Sequence, residues 1–461
     1  MTTAAPLSQI IANPSCMDDY DPNSMPVIKA RQLIKQYLNA VTDTESVPLR
    51  MSLGRVLAQD LLSPANVPNY DNSAMDGYAF HADDIKIEAP TILKTIGTAF
   101  AGKAFEGKVN HGECVRIMTG GMLPKGADSV IAQERVTVNA ENISFSDTPK
   151  RGMNVRYTGE DLTQGQTVLR TGHLVRAADL GLVASIGIGE VTVYRKLKVA
   201  FFSTGDELAS VGTQLKTGQV YDSNRYSLHG MLSQLNVEII DLGAIPDDPS
   251  LLESTLLKAA NIADVVITSG GVSVGEADYM KQLLAQHGEV LFWKIAMKPG
   301  RPLAFGKINR TSDTALNANN AEKLNGSDPT NEKLNSFSQA HFSQAHYFGL
   351  PGNPVAVMVT FYQFVREALL VLMGQPNPPS LPTFQVICTE PIKKMAGRTE
   401  FQRGILFADS DGNWQVKPTG AQGSAILSSM SQANCFIILD DHIGNLEAGA
   451  LVRVQVLEGL V

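Results

Sequence analysis

The spacing of apolar and polar positions changes near Lys198, and this change separates two kinds of structure along the chain. After Lys198, short β-branched apolar runs alternate with amphipathic segments of helical period, as βαβ units require. This alternation predicts a right-handed, mostly parallel sheet. The predicted strands are about Val199–Phe202, Val237–Leu242, Val265–Thr268 and Val290–Lys294, and the predicted helices are about Ser223–Leu235, Ser250–Ala260 and Ala277–Gln286.

The segments on either side of this α/β region have other patterns. Residues 1–25 are rich in Pro, Asn, Ser and Asp and predict a disordered start, and a helix is expected from about Val27 to Val41. Residues 63–158 carry short strand-like runs separated by glycines, which predicts a β-rich inserted domain. The α/β domain should cover 198–375, and after a proline-rich linker only strand-like runs remain, so 380–461 is a predicted small β domain.

One segment, residues 309–345, does not fit a compact fold. It is rich in Asn, Ser, Thr and Ala and contains two short internal duplications. A disordered hairpin loop between strands Leu303–Lys307 and Tyr347–Gly349 is favoured over a metal site built from His341 and His346. Because the segment lies near the Lys298 and Pro351 loops in sequence, we expect it to alter access to them.

Composition and charge narrow the class of protein. The 461 residues carry a formal net charge of -8, which argues against a nucleic-acid-binding or anionic-membrane surface. The four cysteines show no CxxC spacing, which indicates a reducing compartment and no structural zinc site. The N-terminus lacks a secretory signal pattern, so a cytoplasmic location is expected. The long apolar stretch Val355–Met373 follows Asn353-Pro354 and contains charged residues, which predicts a buried helix instead of a membrane span.

The segment from Ala263 to Tyr279 is the first candidate for chemistry. A buried strand runs into a glycine-rich loop and then into a helix start, which is how backbone N–H groups are presented to an anion. Ser269 and Ser273 add hydroxyls, and Asp278 adds a carboxylate where a phosphate-bound cation would lie. Taken alone, the segment is as well explained by a plain β–α turn.

The other candidate groups follow the remaining strands of the same α/β unit. Glu207 and Asp247 follow two predicted strands, and each alone is explained by a turn or a helix cap. Lys294, Lys298 and Arg301 form a cationic cluster after another strand. Ligands of open α/β sheets bind at the carboxyl ends of the strands. Together these groups predict a site for a phosphorylated substrate, a divalent metal and a second anion.

Six segments, in this order, closely resemble the MoeA-type molybdopterin molybdenumtransferases and the C-terminal domain of gephyrin. The segments are Asp71–Ala79, Arg116–Gly120, Ser203–Leu208, Ser269–Gly275, Lys298–Pro302 and Gly349–Pro354. The resemblance implies insertion of molybdenum from molybdate into adenylylated molybdopterin, with release of AMP and a requirement for Mg²⁺. It also implies an elongated N-terminal domain from 26–62 and 159–197, a homodimer, and transient contact with other proteins of molybdenum cofactor biosynthesis.

The resemblance also assigns roles to individual residues. It implies a catalytic and metal-binding set that consists of Asp76, Thr119, Glu207, Asp247 and Asp278. Lys294, Lys298 and Arg301 would hold molybdate or pyrophosphate oxygens. The residues implied to bind the substrate are Arg156, Ser269, Gly270, Gly271, Ser273, Pro351 and Pro354. Molybdenum itself would be held by dithiolene sulfurs of the substrate.

The chain departs from the family at one site, and two other functions stay open. Relatives carry further arginines after the position of Arg156, and the segment Asn154–Asp161 has none, which weakens expected anion binding there. A dimeric peptide-binding scaffold or a molybdopterin-binding chaperone would use the same fold. A scaffold could dispense with the carboxylates and lysines, and this chain keeps them.

Overall fold

A computed structural model describes residues 24–271, 277–310 and 344–457. Within these ranges the chain divides into two compact units, Ser46–Val193 and the remainder. Helix α1 spans Val27–Tyr37, so it ends four residues before the predicted Val41. Most of the predicted disordered start and of the low-complexity segment lies outside the described residues.

Short strands make up the unit Ser46–Val193, as its glycine spacing predicts. Its main sheet has the strand order β7–β4–β6–β5–β9–β8, with antiparallel pairs except for the parallel pair β5–β6. Phe80 packs into a core on one face of β4, and Ala79 packs into a second core on the other. The elements are β1 (Thr44–Pro48), β2 (Leu61–Leu62), β3 (Asn72–Ser73), β4 (Gly77–Phe80), β5 (Thr91–Ala99), β6 (Glu113–Ile117), β7 (Ser129–Ala132), β8 (Thr137–Asn139), β9 (Asn142–Phe145), β10 (Val155–Arg156), β11 (Thr167–Leu169), α2 (Ala177–Ser185) and β12 (Glu190–Tyr194).

The other unit contains the predicted α/β sheet, which has six strands in the order β16–β13–β17–β21–β20–β18. The first four of these strands run parallel, which confirms a mostly parallel sheet, but β20 runs antiparallel to both of its neighbours. The elements are β13 (Lys198–Thr204), β14 (Leu208–Ala209), β15 (Val220–Tyr221), α3 (Ser223–Ser233), β16 (Glu238–Ile245), α4 (Pro249–Ile262), β17 (Val265–Ser269), α5 (Ala277–His287), β18 (Gly288–Lys294), β19 (Met297–Lys298), β20 (Pro302–Asn309) and β21 (Gln344–Leu350).

The central strands are apolar along their length because both faces of the sheet are covered. Every residue of β17 is buried, and so is every residue of β13 after Lys198. Leu252 and Leu256 of α4 pack on one face with Phe202 and Val266. The entry to α4 is fixed by Asp248, whose carboxylate accepts a hydrogen bond of 2.9 Å from the N–H of Leu251.

The long apolar stretch near residue 360 is a buried helix, as predicted. It consists of α6 (Pro354–Thr360), a π-helical turn (Phe361–Val365) and α7 (Arg366–Leu372). By length and composition it is apolar enough to cross a membrane, but 78% of its most apolar window is buried inside the protein. A core helix of the unit accounts for this composition.

A small closed barrel ends the described chain. Strands β23, β24, β22, β26 and β25 pair in that order, and β25 pairs again with β23 to close the ring. The prediction of strands alone after residue 380 is wrong at one place, because a short helix interrupts them. The elements are β22 (Thr383–Cys388), β23 (Thr399–Ala408), β24 (Trp414–Pro418), α8 (Leu427–Gln432), β25 (Cys435–Leu439) and β26 (Leu451–Val456).

The low-complexity segment leaves the sheet from the edge opposite to the predicted site. Asn309 pairs with Gln344, which confirms that the segment joins two neighbouring antiparallel strands. The strands extend further than predicted, so the connection is 310–343. Strand β20 carries the chain roughly 24 Å from Pro302 to Asn309, at about 3.4 Å per residue. Both ends of the segment therefore lie at the opposite end of the sheet from Pro351. The segment itself lies outside the described residues, so its effect on access to the Lys298 and Pro351 loops stays a prediction.

Deleting residues 312–342 should leave the melting temperature within a few degrees of the wild-type value. The remaining Arg310-Thr311-Ser343 can close a three-residue hairpin, and shortening a flexible loop costs little free energy. Differential scanning calorimetry of both proteins tests this, and a drop of more than a few degrees would show that the segment packs against the fold. Turnover should also be kept, since the deletion lies at the far edge of the sheet.

Candidate functional site

The loops predicted to carry chemistry leave one edge of the α/β sheet. Because β16, β13, β17 and β21 run parallel, their carboxyl ends meet at this edge, which we call the carboxyl edge. Strand β18 runs in the same direction, since β20 is antiparallel to both β21 and β18. The strand order therefore places Asp247 and Glu207 on one side, Ser269 to Gly271 in the middle and Lys294 on the other side.

The central glycine loop approaches the end of β13 closely. Gly270 and Gly271 have φ angles of 91° and 65°, which L side chains rarely adopt. A Cβ atom on Gly270 would lie 2.5 Å from the carbonyl oxygen of Thr204, and one on Gly271 would lie 2.9 Å from the Thr204 hydroxyl. Both positions therefore require glycine, and the backbone of the loop lies directly against the neighbouring strand end.

Three buried oxygens near this loop have no hydrogen-bond partner among the described residues. They are Thr204 Oγ1, Asp222 Oδ2 and Asn224 Oδ1. Buried polar atoms in folded proteins are nearly always hydrogen-bonded, so each exception calls for an explanation. Three such atoms around one glycine loop are typical of a site that completes its hydrogen bonds with a ligand.

Helix α3 begins beside this loop and is fixed by Asp222. Asp222 is 3% exposed, and its carboxylate accepts a hydrogen bond of 3.1 Å from the Ser203 hydroxyl. The same carboxylate caps the helix by accepting a hydrogen bond of 3.2 Å from the N–H of Arg225. The Arg225 guanidinium lies 3.9 Å from Asp222 and also donates to Asp241 at 3.0 Å. Asp222 is therefore the N-cap of the helix.

Asn224 is a site residue that the sequence reasoning missed. Its amide Nδ2 donates a hydrogen bond of 2.8 Å to the Ser269 hydroxyl and another of 2.6 Å to the carbonyl of Gly352. It thus joins the loop after β17 to the loop after β21. The available signal was its position two residues after the capping Asp222, on the first turn of a helix that starts at the carboxyl edge.

On one side of the glycine loop lie the carboxylates that were predicted to act with a metal. The Glu207 carboxylate folds back over Gly205, where a Cβ atom would lie 2.5 Å from its Oε2. A hydrogen bond of 3.1 Å joins the loops after β13 and β16: the N–H of Asp247, after β16, donates to the carboxylate of Asp206, after β13. The structure thus brings the Glu207 and Asp247 loops together, as the sequence predicts.

The predicted cations Lys294, Lys298 and Arg301 occupy two settings. Lys294 is the last residue of β18 and pairs with Pro302 of β20. The N–H of Ile295 donates a hydrogen bond of 2.9 Å to the carbonyl of Arg301. Lys294 and Arg301 therefore flank one tight loop. Lys298 instead lies in β19, which pairs with β23 of the barrel, and its ammonium is 3.5 Å from Glu400. Lys294 is three strand spacings from β17, or roughly 14 Å.

The proline loop completes the carboxyl edge. Pro351 is buried directly after β21, and Pro354 is the first residue of α6, as the prediction of a proline at the helix start requires. The carbonyl of Pro351 lies 3.3 Å from the Ser269 hydroxyl. Pro351 therefore adjoins the glycine loop directly, whereas Pro354 continues into the buried helix.

A second group of predicted residues lies in the unit Ser46–Val193. Asp76 Oδ1 accepts hydrogen bonds of 2.8 Å from both the N–H and the hydroxyl of Thr119. These bonds, the backbone one first, lower the pKa of the Asp76 carboxyl. Arg156 is exposed on β10, opposite Asn72 of β3. Asp76 and Thr119 are thus direct hydrogen-bond partners.

The remaining predicted residues, Ser273 and the side chain of Asp278, lie outside the part of the chain that is described. Among the described residues, no group of three or more His, Cys, Asp or Glu side chains lies close enough to hold a metal ion. The predicted ligand set of Asp76, Glu207, Asp247 and Asp278 therefore stays a prediction.

The fold and the edge define a class: an open α/β domain that presents a glycine loop, carboxylates and cations to an anionic ligand. Three family descriptions match the chain. They are the MoeA N-terminal region (domain I and II) at residues 25–187, a probable molybdopterin binding domain at 200–371, and the MoeA C-terminal region (domain IV) at 385–457.

Individual relatives agree with these descriptions. A molybdopterin molybdenumtransferase of Haemophilus influenzae is 42% identical over 93% of this chain and 97% of its own. Gephyrin of Dictyostelium discoideum is 33% identical over 94% of this chain and 62% of its own length. The crystal structure of a molybdopterin biosynthesis MoeA protein from Pyrococcus horikoshii superposes with a TM-score of 0.75 at 29% identity, over 94% of this chain and 100% of that one. The chain belongs to the MoeA family, as its sequence motifs predict.

Replacing Gly270 by Ala should abolish ligand binding at the carboxyl edge and destabilise the fold by about 1–3 kcal/mol, because the new methyl group meets the Thr204 carbonyl at an unfavourable φ. Gly243→Ala is the matched control, since Gly243 has a φ of 87° and no atom within 4 Å of the added Cβ. Urea denaturation of both variants measures the difference, and equal losses of stability would show that the close approach is unimportant.

Proposed function

We propose that this chain is a molybdopterin molybdenumtransferase that inserts molybdenum into adenylylated molybdopterin, consuming molybdate and releasing AMP. The observation that supports this most strongly is the carboxyl edge, where a glycine loop with unpartnered buried oxygens lies between carboxylates and cations. The names of the relatives support the same reaction. A non-enzymatic scaffold or chaperone is not favoured.

The glycine loop is suited to a phosphate of the substrate. Its backbone approaches the end of β13 closely, and Ser269 supplies a hydroxyl beside Gly270 and Gly271. Lys294 and Arg301, farther along the edge, would hold molybdate oxygens by charge-assisted hydrogen bonds. In this arrangement the adenylyl phosphate and molybdate occupy neighbouring parts of one edge.

Mg²⁺ fits the carboxylate side as an ion shared with the substrate. Magnesium is commonly bound by one or two carboxylates together with substrate phosphates, and seldom by a cage made of protein alone. Glu207 and Asp247 would supply those carboxylates. The ion, when bound, would neutralise charge on the phosphate that leaves with AMP.

The three thiols of the described residues are unsuited to hold molybdenum. Cys114, Cys388 and Cys435 are buried, and burial raises the pKa of Cys114 to about 11. The dithiolene of molybdopterin supplies soft sulfur ligands instead. These three cysteines therefore act as small core residues.

The setting of the reaction follows from the same family membership. We infer a homodimer in the cytoplasm that takes its substrate from, and passes its product to, other proteins of molybdenum cofactor biosynthesis. The direct test of the function is incubation with adenylylated molybdopterin, molybdate and Mg²⁺, with AMP measured by chromatography. Absence of AMP release under these conditions would overturn the proposal.

Truncating Asp76, Glu207, Asp247 or Asp278 to Ala should abolish molybdate-dependent AMP release while folding stays nearly intact. Glu207 is exposed and Asp76 and Asp247 are half-buried, and carboxylates in such positions contribute little to stability. Glu238→Ala, which removes an exposed carboxylate at the amino end of β16, is the control and should keep wild-type turnover. Wild-type turnover in all four variants would contradict the assignment of the carboxylates.

Lys294→Ala and Lys298→Ala should raise the molybdate concentration for half-maximal activity by roughly tenfold to a hundredfold, because each lost charge-assisted hydrogen bond is worth about 1.5–3 kcal/mol. Affinity for adenylylated molybdopterin should fall less, since its phosphate also uses the glycine loop. Molybdate titrations at fixed substrate measure both effects.

Lys258→Ala, on the exposed face of α4, is the control for lost positive charge. For Lys298 the double variant K298A/E400Q is also required, because Glu400 is 4% exposed and would otherwise be left without its ammonium partner. If the lysine variants keep the wild-type molybdate dependence, the cations do not form the oxyanion site.

A further inference from the structure

The orientation of the Asn224 amide is fixed by its surroundings. Gly352 offers a carbonyl oxygen, which can only accept a hydrogen bond, and it lies 2.6 Å from one end of the amide. That end must therefore be the NH₂ group, and it donates its second proton to the Ser269 hydroxyl at 2.8 Å. The amide oxygen is buried on the other side, with no partner.

This donation determines what the Ser269 hydroxyl can do. A hydroxyl group has one proton to donate. Because the Ser269 oxygen accepts a hydrogen bond from Asn224, its own proton stays available for another acceptor. Within the described chain its acceptor is the carbonyl of Pro351 at 3.3 Å, a distance longer than is usual for O–H···O bonds. An anionic oxygen of a ligand above the glycine loop would be a stronger acceptor for the same proton.

Asn224 also occupies a rigid position. Asp222, which is buried and bonded to Ser203 and to the N–H of Arg225, holds the first turn of α3 against the end of β13. The helix therefore acts as a fixed support for the Asn224 side chain. Through this side chain it holds the Ser269 and Gly352 loops at a constant separation.

We propose that Asn224 is a positioning residue of the anion site, which orients the Ser269 hydroxyl toward a phosphate oxygen and holds the glycine loop against the Gly352 loop. The proposal rests on the proposed function only in taking the ligand to be a phosphate ester. It goes further because it assigns a role in phosphate affinity to a residue on the first turn of α3. The unpartnered Oδ1 is then available to an N–H or O–H group that the ligand brings.

The test compares Asn224→Ala, Asn224→Asp and the wild type in binding AMP and in molybdate-dependent AMP release. Asn224→Ala removes both donated bonds, so the AMP dissociation constant and the KM for adenylylated molybdopterin should rise at least tenfold, with a smaller change in kcat. Ser233→Ala, near the end of the same helix and bonded only to the helix's own carbonyl of His229, is the control. It should bind AMP like the wild type.

Asn224→Asp separates positioning from packing, since Asp has nearly the same shape. The ionised carboxylate donates no hydrogen bond and meets the Gly352 carbonyl with repulsion, whereas the protonated carboxyl group can donate one. AMP affinity of Asn224→Asp relative to Asn224→Ala should therefore improve as the pH falls through the pKa of the new carboxyl group. A packing role would instead give Asp the wild-type affinity at every pH.

The outcomes separate this inference from the proposed function. If the wild type binds AMP and releases it on turnover but Asn224→Ala does both equally well, the role of Asn224 is wrong and the function stands. If the wild type neither binds nor releases AMP, the proposed function fails first. Equal AMP affinity of the Ala and Asp variants at all pH values would overturn the hydrogen-bond mechanism, and thermal melts of each variant confirm that it is folded.

Discussion

The parallel direction of β13, β17 and β21 is the constraint on which the rest of the molecule depends. It brings the ends of three buried strands to one edge, and the backbone there must turn sharply within a few ångströms of its neighbour. Gly270 fits because its φ is 91° and a Cβ would overlap the Thr204 carbonyl. The same closeness that demands glycine leaves backbone groups and small polar side chains facing a ligand.

The opposite edge of the sheet serves stability instead of binding. Arg195 makes a bidentate pair with Asp264, with hydrogen bonds of 2.7 and 2.9 Å, and it also donates a hydrogen bond of 3.0 Å to Asp43. Arg310 donates a hydrogen bond of 2.7 Å to the carbonyl of Ala263. Burial would raise the pKa of Asp264, but its bonds to Arg195 and to the N–H of Lys198 lower it. Acid should therefore weaken this network only as the pH falls through that lowered pKa. The long connection 310–343 begins at this edge, away from the carboxyl edge.

Sequence patterns predicted the strands and helices of this unit well, because alternating buried strands and amphipathic helices follow from local periodicity. The predicted hairpin between Leu303–Lys307 and Tyr347–Gly349 agrees with the antiparallel pairing of β20 and β21. The antiparallel pairing of β18 with β20 was not predicted, since a buried apolar run carries no mark of direction. The sequence patterns also gave no sign that β19 joins the barrel sheet and brings the Lys298 ammonium 3.5 Å from Glu400. Such a contact between residues about a hundred positions apart cannot be read from a local pattern.

Asn224 shows why part of the site could not be read from the sequence. Asp222 and Asn224 look like an ordinary helix cap, and capping is indeed one role of Asp222. A cap alone would satisfy its polar atoms, yet Asp222 Oδ2, Asn224 Oδ1 and Thr204 Oγ1 are buried and have no hydrogen-bond partner among the described residues. Each unsatisfied atom costs about 1–3 kcal/mol. A fold with three such atoms around one glycine loop loses stability at that loop. A bound ligand that supplies hydrogen-bond donors or a cation would restore this stability. Ligand binding at the carboxyl edge is therefore coupled to the stability of the sheet.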